Sequence, residues 1–351
     1  RADRVRVVVA TRDDGISMAS LRSPRVEGIE SLAGATRIEE WGDGPAFEAE
    51  IDRSALEQLA RDPRVRAVSI DEGGGAALLE SVPLIGGDLA AARGFDGMGT
   101  TVAIIDSGMD APHPALAGRL VDEQCFCVNA DGTGCCRGAS TTGSGAGSAA
   151  DDHGHGTHVS GIVAGNGSSA PRGVAPGVRL VAVKVLNSDA KFDSFTEIYR
   201  ALEWVATAHP EVRVINMSLG SFELFSEEEC AGSAIAIGFA PLIEQLRQRG
   251  VVITASSGNQ SSTTKTTLPA CMDGVLGIGA TYDAPGDYSV FCSVTGALAD
   301  QVACFTNSSP SLDLLGPGAS IVSTWPGGKA RALHGTSMAA PHVAAVIAMM
   351  L

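Results

Sequence analysis

The sequence predicts an α/β fold with a mostly parallel, doubly wound sheet, preceded by a small α+β unit, and three observations carry that prediction. Five continuous apolar runs, Val102 to Ile105, Leu180 to Val185, Val212 to Asn216, Val251 to Ala255 and Val275 to Ile278, have the length and β-branched content of strands. Amphipathic stretches such as Ser194 to Ala208 and Ile235 to Arg249 alternate with them. Continuous rather than alternating apolar runs, separated by helices, mark strands buried on both faces of a parallel sheet. The third observation is that residues 4 to 71 follow a different rule, with apolar and polar residues alternating as in half-buried strands.

In that first stretch Val5, Val7 and Val9 alternate with polar neighbours, as do Phe47, Ala49 and Ile51, and Val65 to Ile70 is a further β-prone run. Ser54-Ala-Leu-Glu57 reads as a capping box opening a short helix through Leu56, Leu59 and Ala60, stopped before Pro63. A weaker helix near Val26 to Leu32 and a strand near Thr36 to Trp41 complete the order β-α-β-β-α-β. This is the order of a ferredoxin-like sandwich. Gly73-Gly74-Gly75 and the small-residue stretch to about Gly99 read as a flexible connector, which divides the chain into 1–72, a connector 73–99 and a main domain 100–351. The chain opens at Arg1 without Met, so any leader is expected to have been removed or left out, and it stops at Leu351 at an uncapped apolar helix end, which suggests truncation or a domain boundary.

Of the 351 residues, 44% are apolar and 19% charged, and 25 Lys and Arg against 40 Asp and Glu give a net charge of −15. That balance argues against disorder and against nucleic-acid binding. The longest apolar stretches fall short of the ~20 residues that span a bilayer, so no membrane helix is expected. Cys125, Cys127, Cys135 and Cys136 crowd one Gly-rich loop, and with Cys230, Cys271, Cys292 and Cys304 they make an even count of 8. Disulfides and an oxidising compartment follow as the favoured reading, with a metal-thiolate site as the rival. Cys125-x-Cys127 and the vicinal Cys135-Cys136 do not match the C-x₂-C pairs of zinc sites. Sequence proximity and loop position pair Cys230 with Cys271 and Cys292 with Cys304.

Three groups sit where chemistry is built. Asp106 ends the run Val102-Ala-Ile-Ile105, His155 opens a helix in Asp151-Asp-His-Gly-His-Gly-Thr-His-Val-Ser-Gly161, and Ser337 lies in Gly335-Thr-Ser-Met-Ala-Ala-Pro-His-Val343, a turn feeding an apolar helix. A Ser hydroxyl needs a His to take its proton, and the His needs an Asp to hold its tautomer. A Ser at a helix start also presents its backbone N–H to a developing oxyanion, and Asn259, after the strand Val251 to Ala255, offers a second donor. Asp110 competes with Asp106 but follows the turn and reads as structural or as a cation ligand. His153 reads as solvated, His158 as packed on its helix, His342 as structural, and His334 as close enough to Ser337 to modulate substrate binding. No H-E-x-x-H, G-x-S-x-G, G-x-x-x-x-G-K-[ST] or G-x-G-x-x-G motif is present, which argues against zinc-protease, α/β-hydrolase and nucleotide chemistry.

Val102-Ala-Ile-Ile-Asp-Ser-Gly108, His155-Gly-Thr-His-Val159, Ser218-Leu-Gly220, Ser257-Gly-Asn259 and Gly335-Thr-Ser-Met-Ala-Ala-Pro-His-Val343 resemble the signature blocks of the subtilisin-like serine proteases, in that family's order. The resemblance implies a secreted (extracellular or periplasmic) serine endopeptidase with Asp106, His155 and Ser337 as its triad and Asn259 as an oxyanion donor. It implies that Ser218, Leu219 and Gly220 pair with extended polypeptide substrate and that the stretch to Gly258, with Ser256 and Ser257, forms one wall of the P1 pocket. Thr267 stands at the pocket base where a Gly is common, so small or medium P1 side chains are expected. The N-terminal unit resembles the family's propeptide, a folding chaperone and inhibitor, with maturation cleavage between Asp71 and Pro83. By the same resemblance the protein is a monomer, needs no catalytic cofactor and allows structural Ca²⁺, for which no D-x-[DN]-x-[DN]-G loop exists. Ser256-Ser257 stand where Ala-Ala is more usual, and the four-cysteine loop has no counterpart.

Overall fold

A computed structural model describes residues 5–11, 35–40, 46–70 and 78–351. The chain divides into two compact units, Arg1–Gly75 and Ala76–Leu351. In the first, β1 (Val5–Thr11), β2 (Ala35–Glu40), β3 (Ala46–Ile51) and β4 (Val65–Ile70) form an antiparallel sheet in the order β2-β3-β1-β4, with α1 (Arg53–Leu59) between β3 and β4. Val7, Val9, Ala49 and Ile51 are buried with Ala55 and Leu59 of α1, so the alternation in the strands meets the apolar face of the helix. The expected strands and second helix are present, and the expected helix near Val26 to Leu32 lies outside the described residues. The cap differs from the expectation: Asp52, not Ser54, caps α1, its carboxylate accepting from the Ala55 N–H at 2.9 Å. A carboxylate one residue before the helix reaches the free N–H groups better than a hydroxyl already inside it.

The second unit begins with α2 (Leu78–Leu84) and α3 (Gly87–Ala92). The stretch read as a flexible connector is therefore helical from Leu78, because Val82 joins the core and Ser81 is buried against His342 (Ser81 Oγ to His342 Nε2, 3.0 Å). There follow β5 (Thr101–Asp106), β6 (Leu120–Phe126), β7 (Thr142–Ser144), α4 (His155–Ala164), β8 (Arg179–Lys184), α5 (Phe195–Ala208), β9 (Val212–Met217) and β10 (Leu224–Phe225). The chain continues through α6 (Glu227–Ala231), α7 (Ala234–Gln248), β11 (Val252–Ser256), β12 (Thr266–Thr267), β13 (Val275–Thr281), β14 (Gly286–Tyr288) and β15 (Val294–Ala297). It closes with β16 (Leu314–Pro317), β17 (Ile321–Trp325), β18 (Lys329–Leu333) and α8 (Thr336–Met350).

Eight strands form one sheet in the order β16-β13-β11-β9-β5-β8-β6-β7, parallel except for the β6–β7 pair. The five predicted apolar runs are its centre. Val102 and Ile104 of β5 face α4 and α8, packing with Val159, Ile162, Ala344 and Ala348, whereas Ala103 and Ile105 face α5 and α7 with Ile198, Leu202 and Ile243. Burial on both faces is why these strands carry no polar alternation. The chain lays down β6 and β8 on one side of β5 and then crosses to β9 on the other, so the topology switches direction at β5. Binding crevices of open α/β sheets form at the carboxyl ends of strands at such a point, and Asp106 is the last residue of β5.

All eight cysteines are paired: Cys125 with Cys136, Cys127 with Cys135, Cys230 with Cys271 and Cys292 with Cys304. The two pairs read from proximity are both found, and the metal-thiolate alternative falls because no thiol is left to bind an ion. Among the described residues no helix is long and apolar enough to cross a membrane.

Candidate active site

Asp106 is fully buried, and its Oδ1 accepts from the Ser107 N–H (2.7 Å) and from His155 Nδ1 (2.7 Å). A carboxylate oxygen only accepts, so Nδ1 carries the hydrogen and Nε2 is left as an acceptor. Burial alone would lower the His155 pKa; the Asp106 charge and hydrogen bond outweigh it and hold the imidazole above its ordinary value.

His155 is the first residue of α4, reached through Gly154 at φ +110°. A Cβ at Gly154 would lie 2.6 Å from the Trp325 ring, so this turn requires glycine on both counts. Its organiser is Asp151, to which the sequence alone assigns no role. Asp151 Oδ1 accepts from the N–H groups of His153 (3.0 Å) and Gly154 (2.7 Å) and from Ser107 Oγ (2.9 Å), and Oδ2 accepts from the N–H and hydroxyl of Thr157. Burial pushes the Asp151 pKa up, and these donors, the Thr157 hydroxyl foremost, bring it below its ordinary value. The signal was present: an acid four residues before a helix start is placed to satisfy its free N–H groups. A second tie was not foreseen. Buried Lys184, opposite Asp106 in the sheet register, donates from Nζ to Asp152 (2.6 Å) and to the carbonyls of Ser107 (3.0 Å) and Leu186 (2.9 Å).

Ser337 is the second residue of α8, whose cap Gly335 supplies no side-chain hydrogen bond; the Met338 N–H turns back to the Gly335 carbonyl (3.0 Å) and the Thr336 N–H is met from outside the helix. Its hydroxyl donates to the Ser218 carbonyl (3.2 Å) rather than to His155; catalytic hydrogen bonds are commonly slack without substrate. Pro341 has no N–H to offer the Ser337 carbonyl four residues back, and Ser218 Oγ donates to it at 2.7 Å. Asn216 Nδ2 in turn donates to Ser218 Oγ (2.9 Å). Asn259 Oδ1 accepts from the N–H (2.9 Å) and hydroxyl (3.1 Å) of Thr336. Because those groups donate, the oxygen must face them, which leaves Nδ2 free on the opposite side.

His155, Ser337, Ser218, Leu219 and Gly220 line one cleft of about 180 Å³, with Leu186, Lys191, Phe192 and Phe222. Ser256 and Ser257 are buried and turned away from it, donating to the carbonyls of Leu219 (3.2 Å) and Asn307 (2.9 Å). Thr267 is buried between the two segments: a Cβ at Gly220 would lie 2.5 Å from its Oγ1 and one at Gly258 2.8 Å from its methyl. Its hydroxyl donates to the Ser256 carbonyl at 3.0 Å. A larger groove of about 670 Å³ between α7 and β13 contains none of these residues.

The histidines divide otherwise. His158 is buried, Nε2 lying 3.0 Å from the Ile321 and 2.9 Å from the Arg331 carbonyl, with burial lowering its pKa to about 3. His342 is buried, its pKa lowered by burial to about 4. His153 is half-buried beside Trp325 rather than solvated. Nδ1 of His334 accepts from the Ser320 N–H (3.0 Å). Asp110 is structural: its Oδ2 accepts from the Gly327 N–H (2.8 Å) and its N–H donates to Thr157 Oγ1 (2.9 Å).

The sequence profile of the subtilase family matches residues 97–351. Subtilisin E of Bacillus subtilis is 31% identical over 343 residues, covering 95% of this chain and 78% of the relative. Subtilisin DY of Bacillus licheniformis is 34% identical over 274 residues, 77% of this chain and 83% of the relative. Among solved structures, a cold adapted subtilisin-like serine proteinase superposes with a TM-score of 0.54 at 28% identity, over 73% of this chain and 77% of that one. The matches define a serine endopeptidase with a subtilisin-like α/β architecture. The chain belongs to the subtilase family.

Proposed function

We infer that the chain is a secreted serine endopeptidase, made as a self-processing proenzyme, that hydrolyses peptide bonds through an acyl-enzyme on Ser337. The observation that supports this most is the 2.7 Å contact of Asp106 with His155, opening on the cleft that also holds Ser337. His155 Nε2 takes the Ser337 proton as Oγ bonds to the scissile carbonyl carbon. The carbonyl oxygen, now anionic, receives hydrogen bonds from Asn259 Nδ2 and the Ser337 N–H. The C–N bond breaks as His155 returns the proton to the departing amine, and a water repeats the sequence to free the acid. Asp106 holds the Nδ1–H of the imidazolium through its hydrogen bond and stabilises the cation.

An extended polypeptide lies along Ser218, Leu219 and Gly220 by strand addition, and Thr267 shortens the P1 pocket so that small or medium side chains fit. Thr267→Gly is expected to shift cleavage toward larger P1 residues; a wild type that cleaves best after large aromatics overturns this reading. Residues 1–72 are assigned as propeptide and inhibitor. Four disulfides fit an oxidising, extracellular setting. A structural calcium ion is assigned no ligands, since among the described residues no three His, Cys, Asp or Glu side chains converge to hold one.

Incubation with an active-site serine phosphonate, followed by intact mass and peptide mapping, tests the proposal. The expected result is loss of the N-terminal unit and a label on Ser337, both absent in Ser337→Ala. An unprocessed, unlabelled chain, repeated after limited proteolysis of the segment between the units, overturns it.

A further inference from the structure

The four-cysteine loop has no place in the reaction just described, yet it adjoins the cleft. Cys125–Cys136 and Cys127–Cys135 are nested cross-links, and the N–H of Cys135 donates to the Cys127 carbonyl (3.0 Å) within the hairpin they lace. Cys125 and Cys127 are fully buried. Such a hairpin keeps its shape without a large core of its own. Two contacts leave its tip, and they end on Asn187 and Glu197, which bracket the segment that carries the cleft wall.

The first is Glu197, 4% exposed on α5. One carboxylate oxygen accepts from the N–H groups of Asp193 and Ser194 (2.9 Å each), which is all that capping α5 demands. The other oxygen reaches across the chain to the Val128 N–H in the hairpin. The second is Asn187, whose Oδ1 accepts from the N–H groups of Asp189 (3.0 Å) and Lys191 (3.1 Å) and whose Nδ2 donates to Asn129 Oδ1 (3.2 Å). The segment between these anchors carries Ala190, Lys191 and Phe192, which with Leu186 line the cleft opposite Ser218 to Phe222. Phe192 also packs edge-on against Phe195 (5.1 Å), and Phe126 of the hairpin's first strand joins the same apolar cluster.

We propose that the disulfide-laced hairpin 125–136 is a specificity element, which through Glu197 and Asn187 fixes the wall that shares the cleft with Ser218, Leu219 and Gly220, where an extended substrate lies. Glu197 is a positioning residue in this scheme, since it touches no substrate. The proposal rests on the serine endopeptidase reading. It makes the preference for long over short substrates a property of the hairpin.

The test compares, in the full chain, kcat/KM for a one-residue ester and for a four-residue peptide amide that share the same P1 residue. Glu197→Gln keeps the shape but sets an NH₂ against backbone donors; it is expected to lower kcat/KM for the peptide by about fivefold, through KM, with the ester unchanged. Asn129→Ala at the hairpin tip is expected to act in the same direction by about twofold, and Cys127→Ser with Cys135→Ser by at least as much as Glu197→Gln. If Glu197→Gln does not fold, the other two variants decide. Equal losses on both substrates, or an unchanged peptide rate in folded variants, overturn the proposal. Failure of the wild type to hydrolyse the ester in a Ser337-dependent way defeats the endopeptidase reading itself and is thereby distinguished.

Discussion

Two regions of the α/β unit bury acids, and they treat them oppositely. At the carboxyl end of β5, Asp106 and Asp151 are met by an imidazole, two hydroxyls and backbone N–H groups, and Asp151 is held below its ordinary pKa. In the loop after β13, Asp283 is 4% exposed and both its oxygens lack a hydrogen-bond partner among the described residues. Burial, with the Glu80 charge adding to it, pushes Asp283 up to about 7. A buried carboxylate keeps its charge only where the fold aims donors at it, and donors are concentrated where a strand end, a helix start and a glycine turn meet.

The largest expected effect belongs to the carboxyl end of β5, where Asp106 Oδ2 alone of these acid oxygens lacks a partner among the described residues. Asp106→Asn leaves the shape intact but presents an amide to His155 Nδ1, reversing the tautomer, and should lower kcat by about 10⁴ while the circular dichroism spectrum is unchanged. A loss under tenfold would mean that Asp106 does not orient the base.

Asp283 comes next, read in stability. Its folded pKa lies above the unfolded value of 3.8, so the unfolded chain releases this proton first and stability falls as pH rises from 4 to 7, by about 4 kcal/mol. Asp283→Asn, made in a Ser337→Ala background to prevent self-digestion, should raise the melting temperature at pH 8 and leave it unchanged at pH 4. An equal shift at both values would break the contrast between the two regions.

Asp151→Asn is the smaller effect and sharpens the comparison from the other side. Asp151 has a lowered folded pKa, so its contribution to stability is present above 3.8 and lost as pH falls through the folded value. The variant should lose roughly 2 to 3 kcal/mol at pH 7. Removing its charge also removes one of the influences raising His155. The acid limb of kcat/KM, expected above 6.5 in the wild type because the base must be deprotonated, should therefore move down. A limb that stays put would reduce Asp151 to a helix cap.

The central strands and the candidate triad were legible because their signals are local. A continuous apolar run declares burial on both faces, and Asp106, His155 and Ser337 each stand within two residues of a glycine at the edge of an element. Asn259 was legible as a free amide after a buried strand, and the structure adds that Thr336 fixes which way it points. What was missed is nonlocal. Asp151 meets Ser107 across 44 residues, Lys184 meets Asp152 across 32 and Ser81 meets His342 across 261, and these pairs come together only when the sheet has assembled. The stretch from Leu78 read as a connector because its residues are small, and small residues are also what packs closely against a buried helix. Eight cysteines allow 105 pairings, so the nested pairs at Cys125 to Cys136 could not follow from spacing alone.

Pro341 carries one more consequence. By withholding an N–H from the nucleophile's own carbonyl, it lends that oxygen to Ser218, so the backbone of Ser337 and the strand edge expected to hold substrate are tethered to each other. A designer who restores the missing helical bond with alanine would make two donors compete for one acceptor, and the helix would win regularity at the expense of alignment between attacker and target.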